Sequence, residues 1–115
     1  MLASKRLLEI EKAFEKQLLA IVPLQLDGET LRLILYLHNK TTLRVTEQWL
    51  GQALNRYSYY WLTPTNTLKI GWDNAPHHTR LKNHPHHKHV GHQDNRQPSY
   101  ETSLEDVMAI ILNEN

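Results

Sequence analysis

An alternation of leucine with other residues constrains the fold of this chain more than any other feature of its sequence. The leucines take every second position: Leu31, Leu33, Leu35 and Leu37. This is the period of a β-strand with one buried face. Three later segments also have the composition of strands and are separated by turn residues: 42–47, 57–62 and 67–72. The sequence therefore predicts a four-stranded antiparallel meander over residues 30–72.

Helical periodicity flanks the predicted sheet on both sides. In residues 3–20, apolar side chains recur at spacings of three and four, and Ser4 has the residue type of an N-cap. In residues 103–112, Ser103 and Asp106 stand at the positions of a capping box. The predicted fold class is α+β in a single domain, 1–115. It has an N-terminal helix, the four-stranded meander, a histidine-rich loop over 73–99 and a C-terminal helix, with the helices packed on one sheet face.

Composition excludes several classes of protein. The chain has no cysteine, which excludes a disulfide framework and cysteine-ligated zinc or iron–sulfur sites and suits a reducing cytosol. Charged residues interrupt the N-terminal segment, so we expect no signal peptide, and no stretch approaches the roughly 20 apolar residues of a membrane span. The net charge of +1 with neutral histidines differs from that of a strongly basic nucleic-acid binder. We expect a cytoplasmic protein without a membrane partner.

The histidines are concentrated in one segment. Of eight in the chain, all but His38 lie within residues 77–92. Two imidazoles beside a cation suit the cleavage of RNA: a neutral histidine can accept the proton of the 2′-hydroxyl, and a protonated one can donate to the leaving 5′-oxygen. Because the ribose supplies the nucleophile, this chemistry needs no metal ion. The segment therefore indicates a metal-independent endoribonuclease.

Two motifs supply the candidate catalytic residues. Asp73 follows directly on a predicted strand and can hold an imidazole in one tautomer. In the motif 85–91, an extended backbone would place His87 and His89 on one face and His86 and Lys88 on the other. The candidate catalytic residues are Asp73, His77, His78, His86, His87, Lys88 and His89.

Three further residues are candidates for substrate binding. Arg80 is a second cation for phosphate. Tyr57 and Tyr59 share a strand face with Trp61 and could stack RNA bases. Core packing is the simpler explanation for at least two of the four aromatic residues of this segment, Tyr57, Tyr59, Tyr60 and Trp61.

Two other functions fit the same histidines. Histidine clusters bind zinc, nickel or copper, so a nuclease in which histidines and Asp73 hold a divalent metal ion is one alternative. The spacing matches no standard structural zinc module, and no cofactor is expected. The other alternative is a non-catalytic module that binds RNA or a protein partner through a pH-dependent charged loop.

The motifs together resemble those of the TumE-like family of toxins from bacterial type II toxin–antitoxin pairs. The strings that carry the resemblance are 57–61, 72–78, 85–90 and Pro98-Ser99. The resemblance implies a growth-inhibiting toxin with ribonuclease activity, neutralised by a small antitoxin that often has a helix-turn-helix domain. The expected partners are therefore the antitoxin and RNA, and a homodimer is compatible with the sequence. One departure is Tyr60, where relatives often have histidine.

Overall fold

The computed structural model describes residues 1–76 and 83–114. In this part of the chain two α-helices flank a sheet of seven strands. The elements are α1 (Ala3–Phe14), β1 (Leu18–Asp27), β2 (Thr30–Leu37), β3 (Thr42–Leu50), β4 (Ala53–Leu62), β5 (Leu68–Asp73), β6 (His87–Val90), β7 (Arg96–Pro98) and α2 (Leu104–Asn113). A short 3₁₀ turn, Glu15–Gln17, separates α1 from β1.

Each strand pairs with the next one along the chain, and every pairing is antiparallel. The sheet is therefore a meander. Gly28 and Gly51 lie in its first and third turns with φ of 57° and 59°, a conformation that glycine adopts without the steric cost of a Cβ. Among the described residues, no helix combines the length and apolar character needed to cross a bilayer.

Both helices pack on the same face of the sheet. The alternating leucines of β2 are buried there with Trp61 and Trp72, and Ile10 of α1 and Met108 of α2 cover them. The predicted α+β class and the two flanking helices are confirmed. The side chains on the opposite sheet face, which we call the open face, carry the site described below.

The predicted count of four strands is wrong, because the structure has seven in its described part. The predicted helix 3–20 ends at Phe14, and β1 begins at Leu18. The apolar residues of β1 match a helical spacing, but Val22 and Leu24 are exposed on an edge strand, so their pattern lacks the alternation of a half-buried strand. Pro23 is compatible with such an edge position.

The predicted loop 73–99 is wrong in part, since it contains β6 and β7. The extended backbone considered for the motif 85–91 is present over His87–Val90, which forms β6. Histidine and lysine give no hydrophobic alternation, so the sequence did not distinguish a strand from a loop here. The backbone nevertheless pairs with β5, with His87 opposite Asp73 and His89 opposite Gly71.

The predicted cap of α2 is confirmed and that of α1 is not. The backbone N–H of Asp106 donates to Oγ of Ser103 over 3.1 Å, and the Asp106 carboxylate accepts from the N–H of Thr102. Helix α1 instead begins at Ala3, with Leu2 at the N-cap and no side-chain cap. Ser4 therefore lies inside the helix.

A buried charge network ties α1 to the sheet and to α2. Arg6 donates to both carboxylate oxygens of Glu47 over 2.8 and 3.1 Å, and to those of Glu105 over 2.9 and 3.0 Å. Trp49 Nε1 and the Tyr59 hydroxyl also donate to Glu47, which is 0% exposed. Burial opposes the charge of Arg6, but the hydrogen bonds that Arg6 donates to both carboxylates outweigh this effect and raise the pKa of Arg6.

This network predicts a loss of stability in acid. Hydrogen bonds from Arg6 lower the pKa of Glu105 in the folded protein below its ordinary value of 4.5. As pH falls, Glu105 is therefore protonated in the unfolded chain before it is protonated in the folded protein. The stabilisation that its ion pair with Arg6 provides is complete above the ordinary pKa and is lost as pH falls through the lowered pKa of the folded state. In urea titrations between about pH 6 and 3, Glu105→Gln should flatten this decline. An unchanged slope would contradict the assignment.

Candidate active site

Register places polar side chains in a row across the open face. Thr46, Ser58, Asp73 and His87 are successive partners on β3, β4, β5 and β6. Since partners on neighbouring strands point to the same face, these side chains lie side by side. His89, two residues after His87, points to this face as well.

Asp73, His87 and His89 form what we call the Asp–His–His cluster. Asp73 Oδ1 is 2.9 Å from His87 Nε2, and Oδ2 is 3.3 Å from His89 Nε2. The two imidazole rings lie edge to face with centroids 5.0 Å apart. All three residues are buried, with exposed fractions of 7%, 3% and 5% in that order. One carboxylate thus contacts two imidazoles away from bulk water, where electrostatic interactions are strong.

Backbone groups hold the cluster in place. His87 Nδ1 is 3.0 Å from the carbonyl of Pro85, and His89 Nδ1 is 2.7 Å from that of Gln93. A carbonyl only accepts, so each Nδ1 carries hydrogen and Nε2 is the nitrogen turned to Asp73. The Asp73 carboxylate also accepts the N–H of Ala75 over 3.0 Å. The orientation of all three side chains is therefore set by the backbone.

Asn74 fixes the end of β5 beside the cluster. Its side-chain oxygen accepts the N–H of Tyr57 over 2.9 Å, and its amide group donates to the carbonyl of Asn55 over 3.0 Å. Sequence reasoning assigned no role to Asn74. The signal that could have identified it is its position next to a strand-ending aspartate, because asparagine side chains often bond to nearby backbone.

The cluster lines a pocket of about 600 Å³ on the open face. Arg56, Ser58 and Tyr60 line the same pocket. Burial and the nearby charge of Asp73 raise the pKa of Tyr60, so its hydroxyl stays protonated at neutral pH. Tyr60 is the position at which the family resemblance noted a departure from histidine, and it is part of the pocket wall.

A glycine on β5 makes room for Tyr60. Gly71 is the register partner of both Tyr60 and His89, and a Cβ at this position would collide with Cδ1 and Cε1 of the Tyr60 ring. Gly71→Ala should therefore lower the free energy of unfolding by about 1–3 kcal/mol through overpacking, measured by urea denaturation. The loss should shrink in a Tyr60→Ala background. Equal losses in the two backgrounds would contradict a clash with Tyr60.

The structure separates Lys88 and His86 from the cluster. As expected from the alternation, both point to the helix-covered face. Lys88 Nζ is 3.4 Å from Glu101, which also accepts from Trp72 Nε1. His86 Nδ1 is 2.8 Å from the Tyr57 hydroxyl, and burial, together with the charges of His84 and His87, lowers the His86 pKa. Neither residue is brought together with the imidazoles of His87 and His89.

The aromatic residues of β4 are mainly part of the core. Tyr57, Tyr59 and Trp61 share the helix-covered face, as expected, and are 4%, 0% and 1% exposed. Tyr57 also lines the edge of the pocket, and burial raises its pKa. Core packing is confirmed for all three, and stacking of a base on Tyr57 or Tyr59 stays a prediction.

Three candidate residues, His77, His78 and Arg80, lie outside the described residues. Sequence reasoning missed three others. Arg32, Arg44 and Arg56 are exposed on the open face, on β2, β3 and β4. Their alternation with buried residues predicts an exposed face, but only the pairing of the strands shows that they share it with the Asp–His–His cluster.

Comparison with known proteins identifies the family. No curated protein and no solved structure matches the chain. A family model described as "Toxin TumE" matches residues 5–115, which includes both helices and every strand. This agrees with the resemblance of the sequence motifs. The chain belongs to the TumE toxin family.

Proposed function

We propose that this toxin is an endoribonuclease of the cytoplasm whose catalytic centre is the Asp–His–His cluster. The observation that carries the proposal is two imidazoles oriented by the backbone on one carboxylate, at the wall of a pocket. Buried titratable groups at a pocket are typical of acid–base sites. Membership of a toxin family implies a cognate antitoxin as the protein partner.

The proposed reaction is transfer of the phosphodiester to the neighbouring 2′-oxygen. Nε2 of one imidazole, once freed from its contact with Asp73, accepts the proton of the 2′-hydroxyl, the 2′-oxygen attacks phosphorus, and the bond to the 5′-oxygen breaks. Nε2–H of the other imidazole donates a proton to that 5′-oxygen. The carboxylate of Asp73, 2.9 and 3.3 Å from the two Nε2 atoms, stabilises whichever imidazole is charged. The products are a 2′,3′-cyclic phosphate and a 5′-hydroxyl.

The open face supports RNA as the substrate. Its described side chains on β2, β3 and β4 include Arg32, Arg44 and Arg56 but no carboxylate. Arg44 is the register partner of Tyr60, and Arg56 lines the pocket itself. Exposed cations beside a catalytic centre bind the phosphates that flank the scissile bond. In this proposal these arginines take the phosphate-binding role that the sequence assigned to Lys88 and Arg80.

Arg56→Ala should weaken RNA binding and reduce its salt dependence. Loss of one phosphate contact should lower the slope of log affinity against log salt by about 0.7 for a single strand. The measurement is fluorescence anisotropy with a labelled oligoribonucleotide between about 50 and 200 mM salt. Lys12→Ala on α1 removes the same charge away from the open face and is the matched control. Equal slopes for the two variants would contradict the proposed RNA path.

The proposal is tested with purified full-length protein and a single-stranded RNA in EDTA. The expected result is cleavage with cyclic phosphate ends. A matched oligonucleotide in which every 2′-hydroxyl is replaced by hydrogen should remain intact, because it lacks the nucleophile. Cleavage of both strands would contradict the mechanism, and cleavage only without EDTA would indicate a metal-dependent nuclease. RNA binding without cleavage would favour the alternative of a non-catalytic binding module.

A further inference from the structure

The Asp–His–His cluster also has the geometry of a metal site. We propose that Asp73, His87 and His89 bind a divalent transition metal of the zinc class, and that the bound metal blocks RNA cleavage. The second half of this inference rests on the proposed function, whereas metal binding itself does not.

The spacing of the donor atoms supports coordination. One donor atom from each of the three residues can be chosen so that all lie within 4.8 Å of one another. The carboxylate oxygens are 2.9 and 3.3 Å from the two Nε2 atoms. A zinc ion with bonds of about 2.1 Å holds neighbouring ligand atoms roughly 3.0–3.4 Å apart, depending on its geometry. Both oxygen–nitrogen separations lie in or near this range, and the donor atoms, which span up to 4.8 Å, would move closer together around an ion.

The hydrogen bonds of the imidazoles provide the second argument. Both Nδ1 atoms face backbone carbonyls, of Pro85 and Gln93. Metal-binding histidines characteristically donate their other ring N–H to a carbonyl or carboxylate, which fixes the tautomer and the ring orientation. In the neutral rings, the lone pairs of both Nε2 atoms are directed at the Asp73 carboxylate. A metal ion between these atoms would be in contact with all three side chains.

The donor set selects the class of metal. Two imidazole nitrogens and one carboxylate suit zinc, nickel or copper, whereas magnesium prefers oxygen ligands alone. Three protein ligands leave coordination positions for water, as in sites that are not purely structural. The pocket of about 600 Å³ beside the cluster has room for such waters.

Metal binding and the proposed proton transfer require the same atoms. A metal ion takes up the Nε2 lone pairs of His87 and His89, so neither imidazole can then accept the proton of a 2′-hydroxyl. A metal-loaded protein should therefore be inactive, and removal of the metal should restore cleavage.

Zinc binding is measured by calorimetry on the full-length protein. Wild type should bind one equivalent of Zn²⁺, and Asp73→Asn should bind it at least about 10–100-fold more weakly, since loss of even a residue that only orients a ligand costs that much. His92→Gln, which changes an exposed histidine of the same segment, is the control for adventitious binding and should leave this equivalent unchanged. Equal affinities in wild type and Asp73→Asn would overturn the metal site. Thermal unfolding verifies that each variant is folded.

Cleavage assays test the second half. Zn²⁺ should suppress RNA cleavage by wild type at the concentration at which zinc fills the site. Addition of EDTA should restore cleavage, and Mg²⁺ should leave cleavage unchanged. Cleavage that persists with the site filled would overturn the inhibition. If metal-free protein cleaves no RNA at all, the proposed function fails, while the calorimetric comparison still decides whether the cluster binds metal.

Discussion

Asp73→Asn is expected to reduce the rate of RNA cleavage by about 10²–10⁴-fold, the usual contribution of acid–base catalysis. The substitution keeps the shape of the side chain but removes its charge. The amide can still form hydrogen bonds with His87 and His89, but without a negative charge it no longer stabilises a positive charge on either imidazole. The measurement is single-turnover cleavage of a labelled RNA in EDTA. His87→Gln should cause a loss of similar size, because it removes one of the two proton carriers.

Two controls make this result specific. His92→Gln, at an exposed position of the same histidine-rich segment, should cleave at the wild-type rate. Expression in cells extends the test, since Asp73→Asn should no longer inhibit growth while remaining folded. A variant that retains both cleavage and toxicity would exclude the Asp–His–His cluster as the catalytic centre.

Arg6→Met is expected to lower the free energy of unfolding by about 3–5 kcal/mol, the cost of removing one partner from a buried ion pair. Arg6 is 3% exposed and its partner Glu47 is 0% exposed. Without the guanidinium, Glu47 keeps only the donors of Trp49 and Tyr59 and must either ionise without a counter-charge or take up a proton. Urea denaturation followed by tryptophan fluorescence measures the change.

A second substitution tests whether the cost comes from the stranded carboxylate. In Arg6→Met/Glu47→Gln the buried charge is removed together with its partner, so the double variant should recover part of the stability lost in Arg6→Met. Lys5→Met, next to Arg6 but exposed, should change the free energy of unfolding by less than about 0.5 kcal/mol. A double variant less stable than Arg6→Met would show that Glu47 is stabilised without Arg6.

The parts of the fold that sequence could predict are those where one face is buried against the helices. Strand β2 shows this most clearly, because every second residue is a core leucine. Strand β1 lacked such a signal, since apolar residues such as Leu19 and Leu24 are exposed on it as well. Strand β6 lacked it for another reason: three of its four residues are polar, and they lie on both faces. In both cases pairing with a neighbouring strand, which is a tertiary property, decides the conformation.

The sequence also predicted part of the candidate site. Residue type and alternation placed His87 and His89 together and Lys88 on the other face, as the structure has it. The number of strands between Arg44 and Asp73, and the register of each pairing, could not be read from composition. The arginines of the open face therefore became candidates only once the strand order was known.

The order of the strands has a consequence for the timing of synthesis. Because each strand pairs with its predecessor in the chain, the sheet can grow in the direction in which the ribosome delivers it. Asp73 emerges with β5, but the two histidines that complete its cluster arrive only with β6, the penultimate strand. A nascent chain thus carries β1 to β5 before the proposed catalytic cluster can form. We expect any activity that depends on the Asp–His–His cluster to appear only after β6 has been synthesised and paired with β5.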